Sequence, residues 1–105
     1  MPTVEDLIAN MQAKAGNLKR LGYRVRFDLT DTGESILVDG TAGAAEISEA
    51  SSADEADTVL MLTADNMARL IAGKLNPMLA FTTGKLKVEG SKGVAMKMAS
   101  LLDED

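Results

Sequence analysis

Apolar residues follow helical spacing at the start of the chain and strand spacing directly after it. Apolar residues recur every three or four positions over 4–18, which predicts an amphipathic helix. Thr3 and Asp6 stand at capping-box spacing at its start, and Gly22 is a residue type that closes helices. Beyond Gly22, apolar and polar residues alternate, as is typical of half-buried strands, and a short turn predicts a hairpin. The predicted elements are a helix over 3–22, strands over 23–30, 35–39 and 42–48, and an acidic loop over 49–57.

The second half of the chain carries apolar residues more densely. Four consecutive apolar residues, 59–62, indicate a central strand with apolar neighbours on both faces. Asn76 and Pro77 have the order of a helix N-cap and its first residue. The predicted elements are a strand over 58–63, a helix capped by Thr63 or Asp65, a short helix between Pro77 and Gly84, a strand over 85–89, and a last helix after Ser91.

This order of elements predicts an α+β fold. A helix and three strands are followed by a fourth strand, two helices, a strand and a helix. Consecutive strands joined by hairpins, followed by consecutive helices, favour a largely antiparallel sheet. Since the 105 residues show neither an internal repeat nor a linker, we expect a single domain over 1–105.

The composition argues against several classes of function. The chain has no cysteine and no histidine, so it has neither thiolates for zinc nor the commonest metal ligand and general base. Its three aromatic residues and net charge of -5 argue against nucleic-acid binding. A calcium-loop pattern is also missing from the acidic loop. We therefore expect no metal, no cofactor and no nucleic-acid partner.

The residues that remain do not indicate catalysis. Ser91 and Lys92 are neighbours in sequence, but adjacent residues on a helix do not face each other. An N-cap is the simpler interpretation of Ser91. The carboxylates cluster only in the acidic loop, where they would keep ordinary pKa values and be poor general acids. We expect no enzymatic activity; an esterase or transferase would instead lose turnover on Ser91→Ala.

Charge is segregated along the chain. No lysine or arginine lies between Arg26 and Arg69, an interval with ten acidic residues, whereas 66–102 carry six basic residues against Glu89 alone. One interpretation is a solvated surface with internal pairing; the other is a basic edge for transient contact with an anionic membrane or an acidic partner. The N-terminus does not resemble a secretory signal, and the last residues are no peroxisomal address. We expect a cytoplasmic protein.

Five of the seven methionines fall in the second half, at 61, 67, 78, 96 and 98. Methionine is flexible and fills irregular space, either in an ordinary core or around a flexible apolar ligand. An empty cavity large enough for a lipid, about 300 Å³, would cost about 7 kcal/mol. This rivals the roughly 5–15 kcal/mol stability of a domain, so such a cavity must be filled by ligand or by adaptable side chains.

Short motifs of the second half resemble the sterol carrier protein-2 (sterol-transfer) family. The motifs are Gly73-Lys74-Leu75-Asn76-Pro77, Ala80-Phe81, Gly84-Lys85-Leu86-Lys87-Val88, Gly90 and Ala95-Met96-Lys97. The resemblance implies a five-stranded mixed sheet with helices packed on one face, enclosing an apolar cavity. It also implies non-catalytic binding of fatty acid, fatty acyl-CoA, phospholipid or sterol. The acidic C-terminus suggests a free-standing bacterial-type member.

We interpret the protein as a lipid-binding or lipid-transfer module whose cavity is lined by apolar side chains of the hairpin, the central strand and the helices. For each of them, a role in the ordinary core is the alternative. Arg69, Lys74 or Lys85 is a candidate to hold a charged head group. The predicted lipid-binding residues are Phe27, Leu29, Val59, Met61, Met67, Leu70, Ile71, Leu75, Met78, Leu79, Phe81, Val94, Met98 and Leu102.

A second interpretation belongs to a different class. The apolar groove would then receive a segment of a protein partner, and the chain would be an accessory or interaction module. An exposed apolar patch without an enclosed volume would favour this alternative.

Overall fold

One mixed β-sheet organises the computed structural model, which describes residues 2–103. Within these residues the sheet has five strands in the order β3-β2-β1-β4-β5. β1 and β4 run parallel, and the other neighbours are antiparallel. The predicted α+β fold is confirmed. The strands are β1 (Arg24–Leu29), β2 (Ser35–Asp39), β3 (Glu46–Ala50), β4 (Thr58–Leu62) and β5 (Lys87–Gly90).

The helices cover one face of this sheet. The α1 helix contacts β2, β3 and α3, whereas α5 contacts β1, β4, β5 and the remaining helices α2, α3 and α4. Among residues 2–103, each helix is too short or too polar to cross a bilayer. The helices are α1 (Val4–Gln12), α2 (Ala15–Leu18), α3 (Ala64–Ile71), α4 (Pro77–Thr82) and α5 (Lys92–Asp103).

The strand register gives the sheet two different faces. On β1, Phe27 pairs with Leu60 of β4, and both side chains are fully buried on the face that the helices cover. The alternate residues point to the other side, where Arg26 pairs with Val59 and Asp28 with Met61. We call the helix-covered side the inner face and the other side the outer face. A residue of β4 therefore belongs to one face or the other according to its position in the strand.

The N-terminal segment differs from its prediction. The capping box is confirmed, because Thr3 accepts from the Asp6 N–H and the Asp6 carboxylate accepts from the Thr3 N–H. The single predicted helix is instead interrupted after Gln12, and α2 follows as a separate turn. The break lets the two parts of the apolar stripe pack on different elements, since α1 packs on α3 and β3 while α2 packs on α5.

Two strands are shifted from their predicted positions. β3 starts four residues later than predicted and ends at Ala50, within the predicted acidic loop. It lies at the edge of the sheet and pairs with β2. β5 begins at Lys87 and not at the predicted residue 85. The reason is that the N–H of Leu86 donates to the carbonyl of Ala80 in α4, at 3.0 Å, and therefore does not pair with β4. An apolar pattern does not reveal either effect.

The predicted helix starts agree with the structure. Thr63 accepts from the Asn66 N–H at 3.2 Å, so it is the N-cap of α3, and Asp65 lies in the first turn. The Asn76 side chain accepts from the N–H groups of the second and third residues of α4. The Ser91 hydroxyl accepts from the Val94 N–H, which supports its interpretation as a cap.

Candidate functional site

The largest group of predicted lipid-binding residues lies between the inner face and the helices. All of them are buried and belong to one apolar core cluster. Met67 on α3 and Met98 on α5 are both fully buried in this layer. The structure therefore brings together Phe27, Leu29, Met67, Leu70, Ile71, Leu75, Val94, Met98 and Leu102.

Val59 and Met61 are separated from that group. Both lie on the outer face, beside Arg26 and Asp28 of β1. Val59 is covered there, and Met61 is half-buried. The prediction expected β4 to have apolar neighbours on both faces and assigned Val59 and Met61 to the lipid-binding set, but strand geometry turns these two side chains away from the helices. Leu60 and Leu62 are the apolar β4 residues on the inner face, and the register of β4 against β1, which pairs them with Phe27 and Leu29, is what shows it.

The short helix α4 presents its large apolar residues outward. Met78 is 60% exposed and Leu79 is 62% exposed, while the small Ala80 is the buried residue at 1%. Phe81 is half-buried, and the Nζ of Lys92 lies 5.4 Å from the centroid of its ring. The capping by Asn76 and the hydrogen bond from Leu86 to Ala80 fix this orientation. Met78 and Leu79 are thus not part of the buried layer.

A cleft of about 260 Å³ opens at one end of the sheet, where β4 leads into α3 and the chain enters β5. Leu62 forms part of its wall and is at the same time a member of the apolar core. Lys85 and Lys87 contribute two cationic side chains. We call this site the sheet-end cleft; its lining residues are Thr30, Met61, Leu62, Thr63, Asn66, Gly84, Lys85 and Lys87.

A second cleft of about 270 Å³ lies between α1 and α3 and is named here the helix cleft. Ile71 is its one large apolar residue and also belongs to the core. The Nζ of Lys14, on its rim, donates to the carbonyl of Leu102 in the last helix. Both clefts are open to solvent and slightly smaller than the roughly 300–1,000 Å³ of typical ligand pockets. The helix-cleft lining is Asn10, Ala13, Lys14, Ala68, Ile71 and Ala72.

The three head-group candidates have different positions. Lys85 lines the sheet-end cleft, whereas Arg69 and Lys74 line neither cleft. Sequence reasoning missed Lys87 and Asn66, which the fold brings to the same cleft from β5 and α3. The antiparallel pairing of β4 with β5 places Lys87 next to Met61, so a correct pairing scheme would have found it.

The outer face carries a polar network. Arg26 donates to both carboxylate oxygens of Asp28, at 2.8 and 3.0 Å, and the Ser35 hydroxyl donates to the same carboxylate at 2.8 Å. Partial burial raises the pKa of Asp28, but these hydrogen bonds and the Arg26 charge outweigh it and lower that pKa below its ordinary value. The hydrogen bond to Asp28 raises the pKa of Arg26. The network joins β1 to β2 and offers no proton donor or acceptor poised near neutral pH.

In residues 2–103, no group of three or more acidic side chains is arranged to hold a metal ion. A small cleft of about 150 Å³ beside Arg24 is lined by Glu55, Ala56 and Asp57. The Asp57 carboxylate there accepts from the Arg24 N–H at 2.8 Å, so it serves the packing of the acidic loop on β1.

Comparison with known proteins gives one consistent result. A sequence model described as the SCP-2 sterol transfer family matches residues 4–103. Hydroxysteroid dehydrogenase-like protein 2 of Homo sapiens is 39% identical over 51 residues, which are 49% of this chain. The match spans only 12% of that longer protein.

Solved structures share the fold. Sterol carrier protein 2 from Yarrowia lipolytica, in its apo form, is 28% identical with a TM-score of 0.68, covering 94% of this chain and 83% of that one. The palmitated SCP2L2 of Aedes aegypti has a TM-score of 0.68 at 15% identity, over 90% of this chain and 92% of that one. At that identity the likeness concerns the fold alone.

Proposed function

The chain belongs to the SCP-2 sterol transfer family, as its sequence motifs predicted, and from this premise we propose that it binds the apolar chain of a lipid between its sheet and its helices and shuttles it. The proposed ligand is a fatty acid, a fatty acyl-CoA, a phospholipid or an isoprenoid or sterol-like lipid. The proposed role is carriage without catalysis, by a single domain over 1–105. The proposed location is the cytoplasm.

The observation that carries the proposal is the position of Leu62. This residue borders the sheet-end cleft and also packs in the apolar layer, so it connects a cationic opening with the buried interior. Each methylene transferred from water into that interior gains about 0.8 kcal/mol. A sixteen-carbon chain would gain on the order of 10 kcal/mol before the costs of ordering and opening are subtracted.

The buried layer must open to admit such a chain. Met67 and Met98 face this layer from two helices that contact each other, and their unbranched side chains can change rotamer at low cost. The Aedes aegypti neighbour that shares this fold is described as palmitated, which supports the proposal of an acyl-chain ligand. We propose that the two methionines move aside for the ligand and fill its space when it leaves.

The sheet-end cleft is the proposed mouth. Its two lysines can hold a carboxylate or phosphate, while Leu62 borders the path of the tail into the buried layer. The helix cleft offers less for an anionic head, because its single lysine already donates to the Leu102 carbonyl.

A binding titration with a fluorescent fatty acid tests the proposal. Since Met67 and Met98 are fully buried, charged replacements would test folding and not binding. The double variant Met67→Ile, Met98→Ile keeps apolar volume but stiffens both side chains, and such exchanges usually cost less than about 1.5 kcal/mol of stability. We expect affinity to fall at least about tenfold, or about 1.4 kcal/mol.

Met11→Ile is the matched control, because Met11 is equally buried but lies on α1, over β2 and β3. This variant should bind like the unmodified protein. If the unmodified protein does not bind the fatty acid, the proposed function is wrong. If the double variant and Met11→Ile both bind like the unmodified protein, the methionine layer is not the site.

Native mass spectrometry of protein purified from cells distinguishes the second candidate function. The exposed pair Met78 and Leu79 is the observation that favours an interaction module. Lipid that co-purifies supports the carrier, and its identification names the ligand. Lipid-free protein bound to a specific polypeptide supports the interaction module.

A further inference from the structure

Within residues 2–103, the sheet has two open edges, at β3 and at β5, because each of these strands has a neighbouring strand on one side only. An edge strand presents unpaired N–H and C=O groups to a further strand, and proteins protect such edges with charged side chains. On β3, Glu46 and Glu49 are exposed, and the strand has no basic residue. A second β3 would bring four carboxylates together, so this edge is protected against a copy of itself.

The other edge strand, β5, carries both signs of charge. Lys87 and Glu89 lie on the outer face, since they pair with the outer-face residues of β4, and Val88 between them lies on the inner face. Both charged side chains are exposed, and neither forms an ion pair with another side chain among residues 2–103. Val88 is half-buried at the margin of the core. The strand is thus a base and an acid placed symmetrically about an apolar residue.

The backbone of Val88 faces the open edge. The Thr58 hydroxyl of β4 lies within hydrogen-bonding distance of the Glu89 carbonyl, at 2.9 Å, so that carbonyl is on the β4 side of the strand. Because successive strand residues turn their N–H and C=O groups to alternate sides, those of Val88 point away from β4. The Leu86 N–H, just before the strand, is already bonded to Ala80 of α4, so the available stretch is short.

We propose that β5 pairs antiparallel with β5 of a second copy of this chain, around a two-fold axis at Val88. This axis sets each Lys87 opposite Glu89 of the other copy, and it sets the two Val88 residues opposite each other, where their backbones exchange two hydrogen bonds. Moving the axis by one residue would set Lys87 against Lys87 or Glu89 against Glu89, so the charges specify one register. The interface uses the same surface of both copies and closes as a dimer. Since the paired stretch is short, we expect a Kd on the order of 100 μM.

This pairing would also act on the sheet-end cleft. Lys87 lines that cleft, so in the dimer Glu89 of the second copy neutralises one of the two cationic groups there. If the cleft holds an anionic head group, the head group and the second copy compete for Lys87. A fatty acid should therefore weaken the dimer, and dimerisation should weaken fatty-acid binding by the same factor. This coupling rests on the proposed function; the dimer itself does not.

Sedimentation equilibrium of the lipid-free protein at low salt tests the dimer by exchange of charges. Lys87→Glu and Glu89→Lys each set like charges opposite each other, and we expect either change to weaken self-association at least about tenfold. The double variant Lys87→Glu, Glu89→Lys restores opposite charges with the net charge unchanged, so it should dimerise like the unmodified protein. An equimolar mixture of the two single variants should form a heterodimer for the same reason. High salt should weaken the unmodified dimer.

Glu49→Lys is the matched control. It makes the same change of charge as Glu89→Lys at an exposed position of the other edge strand, and it should leave the dimer intact. All variants are checked for folding by circular dichroism. Because Glu89 does not line the sheet-end cleft, Glu89→Lys should still bind fatty acid. Adding a fatty acid to the unmodified protein, with the fatty alcohol of the same chain as its control, measures the coupling.

The outcomes separate the dimer from the carrier function. The dimer is overturned if the unmodified protein stays monomeric up to about 1 mM, or if neither the double variant nor the mixture restores association. It is also overturned if Glu49→Lys abolishes association, which would put β3 in the interface. If charge exchange acts as expected but fatty acid does not bind, the dimer stands and the proposed function is wrong. If fatty acid binds and leaves the dimer unchanged, the dimer stands and its coupling to the sheet-end cleft is wrong.

Discussion

Gly90 of β5 lies against Thr58 of β4 so closely that a Cβ on the glycine would be 3.2 Å from the Thr58 Cα. The same Cβ would be 2.8 Å from the Asp57 carbonyl oxygen, and Gly90 has a φ of 91°. The Thr58 hydroxyl is within hydrogen-bonding distance of the carbonyls of Glu89 and Ser91, at 2.9 and 3.0 Å. This contact fixes the turn from which α5 starts, and α5 is the helix that carries Val94, Met98 and Leu102 over the sheet.

Replacing this glycine should be costly. Gly90→Ala places a side chain in left-handed backbone against two backbone atoms, and we expect a loss of at least about 2 kcal/mol in the free energy of unfolding, measured by urea denaturation. Gly93→Ala is the control, because its added Cβ would meet only the Ser91 hydroxyl at 3.8 Å within α5. Gly93→Ala should be neutral or gain up to about 1 kcal/mol. Equal stabilities for the two variants would contradict the proposed strain.

Local chemistry is what the sequence predicts well. The caps at Thr3, Asn76 and Ser91 depend on residues within three positions of each other, and the structure confirms them. The family resemblance depended on motifs of adjacent residues and is confirmed as well. The five-stranded sheet with helices on one face followed from these two sources together.

Long-range arrangement is what the sequence left open. Only the register of β4 against β1 shows that Val59 and Met61 face away from Phe27, because an apolar run has no visible period. The outward position of Met78 and Leu79 depends on the bond from Leu86 to Ala80, which closes across six residues. The lysines of the sheet-end cleft were partly missed for the same reason, since strand pairing brings Lys87 there.

Blocking one cleft at a time should identify the mouth. Asn66 lines the sheet-end cleft, so Asn66→Tyr should obstruct it and weaken fatty-acid binding at least about tenfold, or slow uptake correspondingly. Ala72→Tyr places the same side chain at the helix cleft and serves as the control, with unchanged binding expected. Stopped-flow fluorescence measures both. If only Ala72→Tyr weakened fatty-acid binding, the ligand would enter through the helix cleft and not through the sheet-end cleft.

The lysines of the sheet-end cleft should recognise charge and not chain length. Lys85→Gln with Lys87→Gln should weaken binding of a fatty acid about fivefold, since an exposed ion pair contributes up to about 1 kcal/mol. Binding of the fatty alcohol with the same chain should be unaffected. Competition titrations with the two ligands give the comparison, and equal losses for acid and alcohol would mean that the lysines act on packing and not on the head group.

Acid should weaken the domain partly through Asp28. Its pKa is lower in the folded protein than in the unfolded chain, where it is near 3.8, so its contribution is full above that value and is lost as pH falls through the folded pKa. Asp28→Asn removes the ion pair with Arg26 and should cost about 1 kcal/mol at neutral pH. The gap from the unmodified protein should shrink below about pH 4. Some acid sensitivity should persist, because the hydrogen bonds from Thr41 also lower the pKa of Asp39. Urea unfolding across this pH range measures the gap, and a gap that stays constant would show that the Asp28 charge does not stabilise the fold.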